Sequence, residues 1–163
     1  VSVPPPRCVP HGRDLREILS SRVPSLTLGG WVNPHRSAEE QVAFINAPDA
    51  NADYALSQIV SHHSTDAVER FLEESGRVES TKPVVFGVFY YRSANPLTLA
   101  TLGDFFPVPA KEIVAEFDAG ATPEEICASS IRELRAVGAE KIYISNLGER
   151  TAGRTLGRIL DLV

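Results

Sequence analysis

At the centre of the chain stands Val84-Val85-Phe86-Gly87-Val88-Phe89-Tyr90-Tyr91-Arg92, an apolar run rich in β-branched and aromatic residues. Three other stretches have the same form and end on polar or aromatic residues: Leu26-Thr27-Leu28-Gly29-Gly30-Trp31-Val32-Asn33-Pro34-His35, Tyr54-Ala55-Leu56-Ser57-Gln58-Ile59-Val60-Ser61-His62-His63, and Ile142-Tyr143-Ile144-Ser145-Asn146. Near-continuous apolar strands that alternate with helices are typical of a parallel sheet with covered faces. We therefore predict an α/β fold of parallel βα units.

Helix signals separate these runs. Ser37 and Thr122 each stand three residues before a glutamate, which is capping-box spacing, and Pro123 follows Thr122 at the first helical position. Ser64 is expected to cap the helix after the second strand, and Gly138 is expected to end the helix before the fourth. The predicted strands and helices thus alternate along the chain.

Four βα units amount to half of a (β/α)8 barrel, which typically has about 250 residues. We predict one α/β domain over residues 1–163, forming the C-terminal half of such a barrel, with an open doubly wound sheet as the alternative. The chain lacks methionine and opens Val1-Ser2-Val3-Pro4-Pro5-Pro6-Arg7, so we expect further sequence upstream.

Composition excludes several classes of function. A net charge of -5 argues against nucleic acid or an anionic membrane surface as the main partner. No apolar run reaches membrane-spanning length and no signal peptide is recognisable. The cysteines Cys8 and Cys127 lack metal or redox spacing, which favours reduced thiols in a cytoplasmic protein. Cys127 shares the apolar face of a predicted helix, so we place it in the core.

The strand ends are the first place to look for chemistry, since ligands of parallel sheets bind beyond the carboxyl ends of the strands. Trp31 could stack on a flat heterocycle and His35 could hydrogen-bond it; the alternative is a capping aromatic and a surface histidine. The Gln58 amide offers a donor and an acceptor, which suits the edge of a pterin or pyrimidine. Equally, neighbouring strand residues could satisfy it.

Five further residues are candidate ligand groups. Tyr90 and Tyr91 are strand aromatics with alternating faces that end where a planar ligand would sit. Asn146 leads into a helix start that could hold an anion. The pair His62-His63 lacks i,i+4 spacing, and no acidic or cysteine cluster accompanies it in the sequence, so we predict no metal.

As an ordered set, four segments resemble the methylenetetrahydrofolate reductase family. They are Gly29-Gly30-Trp31-Val32-Asn33-Pro34-His35, Ser57-Gln58-Ile59-Val60-Ser61-His62-His63, Val84-Val85-Phe86-Gly87-Val88-Phe89-Tyr90-Tyr91 and Tyr143-Ile144-Ser145-Asn146-Leu147-Gly148. Their order and separation are similar to strands five to eight of that family's barrel, in a divergent branch. The resemblance implies an oxidoreductase of one-carbon and methionine metabolism, which reduces 5,10-methylenetetrahydrofolate to 5-methyltetrahydrofolate with NAD(P)H, usually through FAD.

By position, the resemblance implies that Gln58, Tyr90, Tyr91 and Asn146 bind the folate substrate. It also implies that Trp31 and His35 belong to the cofactor site. The family's acidic catalytic residue lies on a strand that has no counterpart here, so the catalytic residue is unknown and the isolated chain is expected to be inactive. Completion by an N-terminal half or formation of a homo-oligomer would cover the open sheet edges.

The sequence departs from the family where FAD phosphates usually meet basic residues. The corresponding segment, Ala43-Phe44-Ile45-Asn46-Ala47-Pro48, has no lysine or arginine, which argues against tight FAD binding. Two other hypotheses stay open: a non-catalytic folate- or nucleotide-binding half-barrel or subunit, and an unrelated doubly wound α/β module.

Overall fold

Strands and helices alternate along the chain in the computed structural model, which describes residues 11–163. The strands are β1 Gly29–Val32, β2 Tyr54–Ile59, β3 Val84–Phe89 and β4 Ile142–Ser145. The helices are α1 Gly12–Arg22, α2 Ala38–Asn46, α3 Thr65–Arg77, α4 Pro96–Gly103, α5 Ala110–Asp118, α6 Pro123–Ala136 and α7 Ala152–Leu160, with 3-10 turns at Pro48–Ala50 and His62–Ser64. The predicted proline-rich opening and Cys8 lie outside the described residues.

The four strands form one parallel sheet in the order β1-β2-β3-β4. The prediction of an α/β fold with parallel strands is therefore confirmed. The order in the sheet follows the order in the chain, and each neighbouring pair of strands is connected through at least one helix. The hydrogen-bonded strands are shorter than the apolar runs that predicted them, because the last residues of each run turn away into loops.

One face of the sheet packs against a layer of four helices, α2, α3, α6 and α7, which we call the helix layer. Its core joins strand residues such as Val32, Phe86 and Val88 to helix residues such as Phe71 and Leu134. Burial of this apolar surface is the main favourable term that holds the layers together. Within the described residues, no helix combines the length and the apolar character needed to cross a membrane.

The opposite face of the sheet carries a second core, and α4 and α5 cover it near the carboxyl ends of the strands. We call it the α4–α5 face. Its buried residues are Ile59, Tyr91, Leu99, Phe106, Ile113 and Ile126. The segment between β3 and α6, which contains α4 and α5, therefore covers this face at the strand ends.

Helix starts are set by side chains, in two cases as predicted. Ser37 accepts a hydrogen bond from the Glu40 N–H, and Thr122 and Glu125 form a reciprocal capping box. The prediction for Ser64 is wrong, since it makes no side-chain cap on α3. Ser64 instead pairs with Ser61 in a capping box around the 3-10 turn that begins at His62.

Gly87 lets a side chain from β4 cross over β3. The Tyr143 hydroxyl donates to the Ser57 carbonyl oxygen on β2 at 2.8 Å. A Cβ atom at Gly87 would lie 2.5 Å from Tyr143 Cζ, which is closer than packed atoms approach. The missing side chain therefore allows one tyrosine to join three strands.

We predict that Gly87→Ala destabilises the protein by about 1–3 kcal/mol, the usual cost of overpacking a filled interior. The measurement is the free energy of unfolding from urea titration followed by circular dichroism. Gly76→Ala is the matched control, because a Cβ atom there meets nothing within 4 Å. Its expected effect is a stabilisation of about 0.5–1 kcal/mol in the helix. Equal stability of the wild type and Gly87→Ala would contradict the contact.

Cys127 lies in the helix-layer core with 1% of its surface exposed, as the sequence predicted. Burial raises the pKa of its thiol from an ordinary 9.0 to about 12, with a smaller contribution from Glu124. Because the native state favours the neutral thiol, Cys127 contributes its full stabilisation below about pH 9. That stabilisation is lost as the pH rises towards 12.

We predict that iodoacetamide alkylates Cys127 at least about 100-fold more slowly in the native protein than in denaturant at pH 8, because the thiolate is the nucleophile. Mass spectrometry of the peptide containing Cys127 follows the reaction separately from that of Cys8. Similar rates in the native and denatured protein would contradict this burial.

Candidate functional site

A bulge interrupts β2 just before its carboxyl end. Leu56 pairs with Val85, whereas Ile59 pairs with Gly87, so β2 gains one residue over β3. Side chains replace the lost ladder bonds: Ser57 Oγ accepts from the Gly87 N–H at 2.9 Å and donates to the Gln58 carbonyl at 2.7 Å. Bulges of this kind are frequent beside active sites, where they re-aim side chains.

Gln58 is partly satisfied within the protein. Its Oε1 accepts from the Ile59 N–H at 2.9 Å and its Nε2 donates to the Phe105 carbonyl at 3.2 Å. Neighbouring residues thus hold the Gln58 side chain, as one of the two interpretations expected. One amide hydrogen and one oxygen lone pair remain able to bond a ligand, as the other interpretation requires.

Beside the bulge, at the carboxyl ends of β2 and β3, lies a cavity of about 210 Å³. Its wall contains His35, whose Nε2 lies 2.8 Å from the Ile59 carbonyl oxygen. The segment after α4 contributes Pro107, Val108 and Pro109 to the wall. We call this space, with Tyr91 and His63 in its wall, the strand-end cavity.

Tyr91, which lines the strand-end cavity, carries an unsatisfied polar group. The residue is 4% exposed, and its hydroxyl has no hydrogen-bond partner among residues 11–163. Burial raises the pKa of this hydroxyl, so it stays a neutral donor at physiological pH. An unmade buried hydrogen bond costs about 1–3 kcal/mol, which a ligand in the cavity could recover.

Tyr90 faces the other way, into the helix-layer core. Burial is the largest cause that raises the pKa of its hydroxyl, and the neighbouring Glu124 on α6 adds to it. The alternation of the two tyrosines was expected, and it leaves Tyr91, not Tyr90, beside the cavity.

Asn146 connects the ends of two strands. It adopts a left-handed conformation with φ of 72°, and its Nδ2 donates to the Tyr90 carbonyl at 3.0 Å. Arg92 donates to the Asn146 carbonyl at 2.8 Å. These bonds give Asn146 a structural role where β3 and β4 end.

Trp31 does not line the strand-end cavity. It is 47% exposed and lies in a separate depression with Phe44 of α2 and with His11, Arg13 and Arg16 of the α1 region. Arg13 pairs with Asp49 at 2.6 Å, and Arg16 Nε donates to the Ala50 carbonyl at 2.8 Å. The structure thus separates Trp31 from His35, which the sequence had grouped together.

A cluster of His62, His63 and Glu116 adjoins the strand-end cavity, with His63 in the cavity wall. His62 Nε2 lies 2.6 Å from Glu116 Oε1, and His63 Nε2 lies 3.4 Å from Glu116 Oε2. His62 Nδ1 lies 2.8 Å from the hydroxyl of Ser130, which is buried on α6. The sequence did not indicate this cluster, because Glu116 stands on α5, far along the chain.

Comparison with known proteins adds no relative from which function could be transferred. No family model matches the chain, and no curated protein matches it significantly. The assignment of function therefore depends on the residues themselves and on their arrangement.

Tyr91→Phe should raise the free energy of unfolding by about 1 kcal/mol, since it removes a buried hydroxyl without a partner and leaves the ring in place. Urea unfolding measures the change. Tyr143→Phe serves as the control: it removes a hydroxyl that donates to Ser57, so it should lower stability. A loss of stability in Tyr91→Phe would show that the hydroxyl has a partner in solution.

Proposed function

We propose that this chain supplies part of the folate and cofactor pocket of a methylenetetrahydrofolate reductase-like oxidoreductase, which acts in one-carbon and methionine metabolism with NAD(P)H. One observation carries the proposal. The sheet places the Gln58 amide and the Tyr91 hydroxyl at the carboxyl ends of adjacent parallel strands, both with hydrogen-bonding capacity to spare. These are the positions at which the resemblance expects the pterin.

The strand order supports a half-barrel over a doubly wound sheet. A doubly wound sheet reverses its strand order at a switch point. Here the order is β1-β2-β3-β4, and four helices cover one face. The excursion with α4 and α5 lies over the strand ends, where βα loops build the sites of barrels.

The size of the strand-end cavity suits part of a folate. At about 210 Å³ it is smaller than the roughly 300–1,000 Å³ of pockets for drug-sized ligands. It would accept one ring system, with Tyr91 donating; Gln58, which precedes the cavity-lining Ile59 in the chain, would address a ring edge. The remainder of the substrate would extend over the other half of the proposed barrel.

The Trp31 depression suits the dinucleotide NAD(P)H better than the cavity does. The exposed indole can stack on a flat ring, and Arg13 and Arg16 line the same depression, where they could pair with phosphates in addition to their bonds to Asp49 and the Ala50 carbonyl. NAD(P)H supplies the hydride when it is bound. For FAD, α2 offers no basic residue in its last turn, so the chain lacks the phosphate partners that the family places there.

The two edge strands of the sheet, β1 and β4, indicate how the chain would associate with another segment. Within the described residues, β1 and β4 each pair with one neighbour only. Unpaired edges tend to recruit another strand. We propose that an N-terminal half-barrel or a second copy of the chain covers them.

A non-catalytic folate-binding subunit is the second candidate, and one observation favours it. The four described strands, Gly-Gly-Trp-Val, Tyr-Ala-Leu-Ser-Gln-Ile, Val-Val-Phe-Gly-Val-Phe and Ile-Tyr-Ile-Ser, contain no aspartate or glutamate. A general acid for the reduction would therefore come from outside these strands. Binding without turnover by the isolated chain fits both candidates.

The proposal predicts that 5-methyltetrahydrofolate binds the protein and that Gln58→Ala weakens binding by about 5–150-fold, the equivalent of about 1–3 kcal/mol for lost hydrogen bonds. Isothermal titration calorimetry measures the affinity. Tyr90→Phe is the matched control, because its side chain faces the helix layer and its loss should leave the affinity unchanged. Circular dichroism confirms that both variants fold. Equal affinity for the wild type and a folded Gln58→Ala would contradict the proposed role of Gln58.

A further inference from the structure

The cluster of His62, His63 and Glu116 has the chemistry of a metal site. Three potential ligand atoms, one from each residue, lie within 4.8 Å of one another. Two imidazoles and one glutamate form a ligand set that catalytic zinc sites use, with a fourth position left open. Calcium and magnesium prefer oxygen ligands, so a set dominated by nitrogen favours a zinc-class ion.

The two distances between a histidine nitrogen and a Glu116 oxygen require only small movements. Ligands around a tetrahedral zinc, each about 2.0–2.1 Å from the ion, lie about 3.3 Å apart. The distance between His63 Nε2 and Glu116 Oε2 is already 3.4 Å. The distance between His62 Nε2 and Glu116 Oε1 would open from 2.6 Å by less than about 1 Å.

The burial of one oxygen of the Glu116 carboxylate is a second observation that points to a bound ion. Its Oε2 atom is buried and has no hydrogen-bond partner among the described residues, although the carboxylate faces two histidines. A buried carboxylate oxygen is normally paired or bound to a metal. An ion between the three side chains would satisfy it.

The surroundings hold the ligands as metal sites do. His62 Nδ1 lies 2.8 Å from Ser130 Oγ, so an N–H there can donate to the hydroxyl while Nε2 is free to bind the ion. Without an ion, the serine hydroxyl can reverse its role and donate to Nδ1. The capping box of Ser61 and Ser64 fixes the turn from which both histidines project.

We propose that His62, His63 and Glu116 bind one zinc-class divalent ion, with the fourth coordination position directed to the strand-end cavity. His63 belongs to both the cluster and the cavity wall, which places the two side by side. Water, or an oxygen of a small molecule in the cavity, would complete the coordination. This proposal does not depend on the folate assignment.

The first test is titration of the chelator-treated protein with Zn²⁺ by calorimetry. We expect one ion per chain, with affinity reduced at least about 100-fold in Glu116→Gln and in His63→Ala, because losing a ligand costs more than the 10–100-fold of an outer partner. Ser130→Ala, which removes that outer partner, should lose about 10-fold. Glu112→Gln, an exposed glutamate one turn earlier on α5, is the matched control and should bind as the wild type does.

Co²⁺ is the second probe, because its visible spectrum reports geometry and ligand type. Strong tetrahedral bands without a sulfur-to-cobalt charge-transfer band are expected, which separates this cluster from adventitious binding at Cys8 or Cys127. Circular dichroism of the metal-free variants shows that they fold. Equal zinc affinity in the wild type and Glu116→Gln, no zinc binding by the wild type, or a six-coordinate cobalt spectrum would each overturn the proposal and leave the cluster as an ion pair.

Discussion

The hydrogen bond from Tyr143 to the Ser57 carbonyl, made over Gly87, connects β4 to β2 across the strand between them. It depends on the absence of one side chain, since any Cβ at Gly87 would occupy the space of the phenol ring. This hydrogen bond is made at the bulge of β2. Ser57 is therefore fixed by bonds to its carbonyl oxygen, by bonds of its hydroxyl and by its neighbours in the sheet. The carboxyl end of β2, from which the candidate site is built, is thereby fixed.

The contacts of Ser57 set the position of the residues that follow it in the chain. The bulge turns Ile59 into the core of the α4–α5 face and leaves Gln58 to satisfy the Ile59 N–H with its own side chain. Further along, the reciprocal hydrogen bonds between Ser61 and Ser64 shape the 3-10 turn. A short segment therefore carries an amide at the carboxyl end of β2 and two imidazoles in the turn that follows, of which His63 lines the cavity.

The polar groups around the strand-end cavity are supported from several elements at once. Glu116 comes from α5, Ser130 from α6, and the histidines from the turn after β2. Their alignment requires that the excursion between β3 and α6 folds back over the strand ends. Such support holds side chains in fixed orientations, which lowers the entropy lost when a ligand or an ion binds. Two buried oxygens that have no hydrogen-bond partner within residues 11–163, on Tyr91 and Glu116, are the local cost of this arrangement.

The sequence by itself determined the parallel α/β fold, since apolar runs that alternate with capped helices can bury their surface in few other ways. It also placed Cys127 in the core, Thr122 in a capping box and Tyr91 on the face opposite to Tyr90, because these follow from local periodicity and capping chemistry. Only the tertiary structure decided that Ser64 caps a turn instead of α3, that Trp31 lies apart from His35, and that Glu116 meets His62. The first is a local pairing of Ser61 with Ser64 that replaces the expected cap on α3. The other two depend on contacts between residues distant in the chain, which are set by how the layers pack and leave no periodic trace in the sequence.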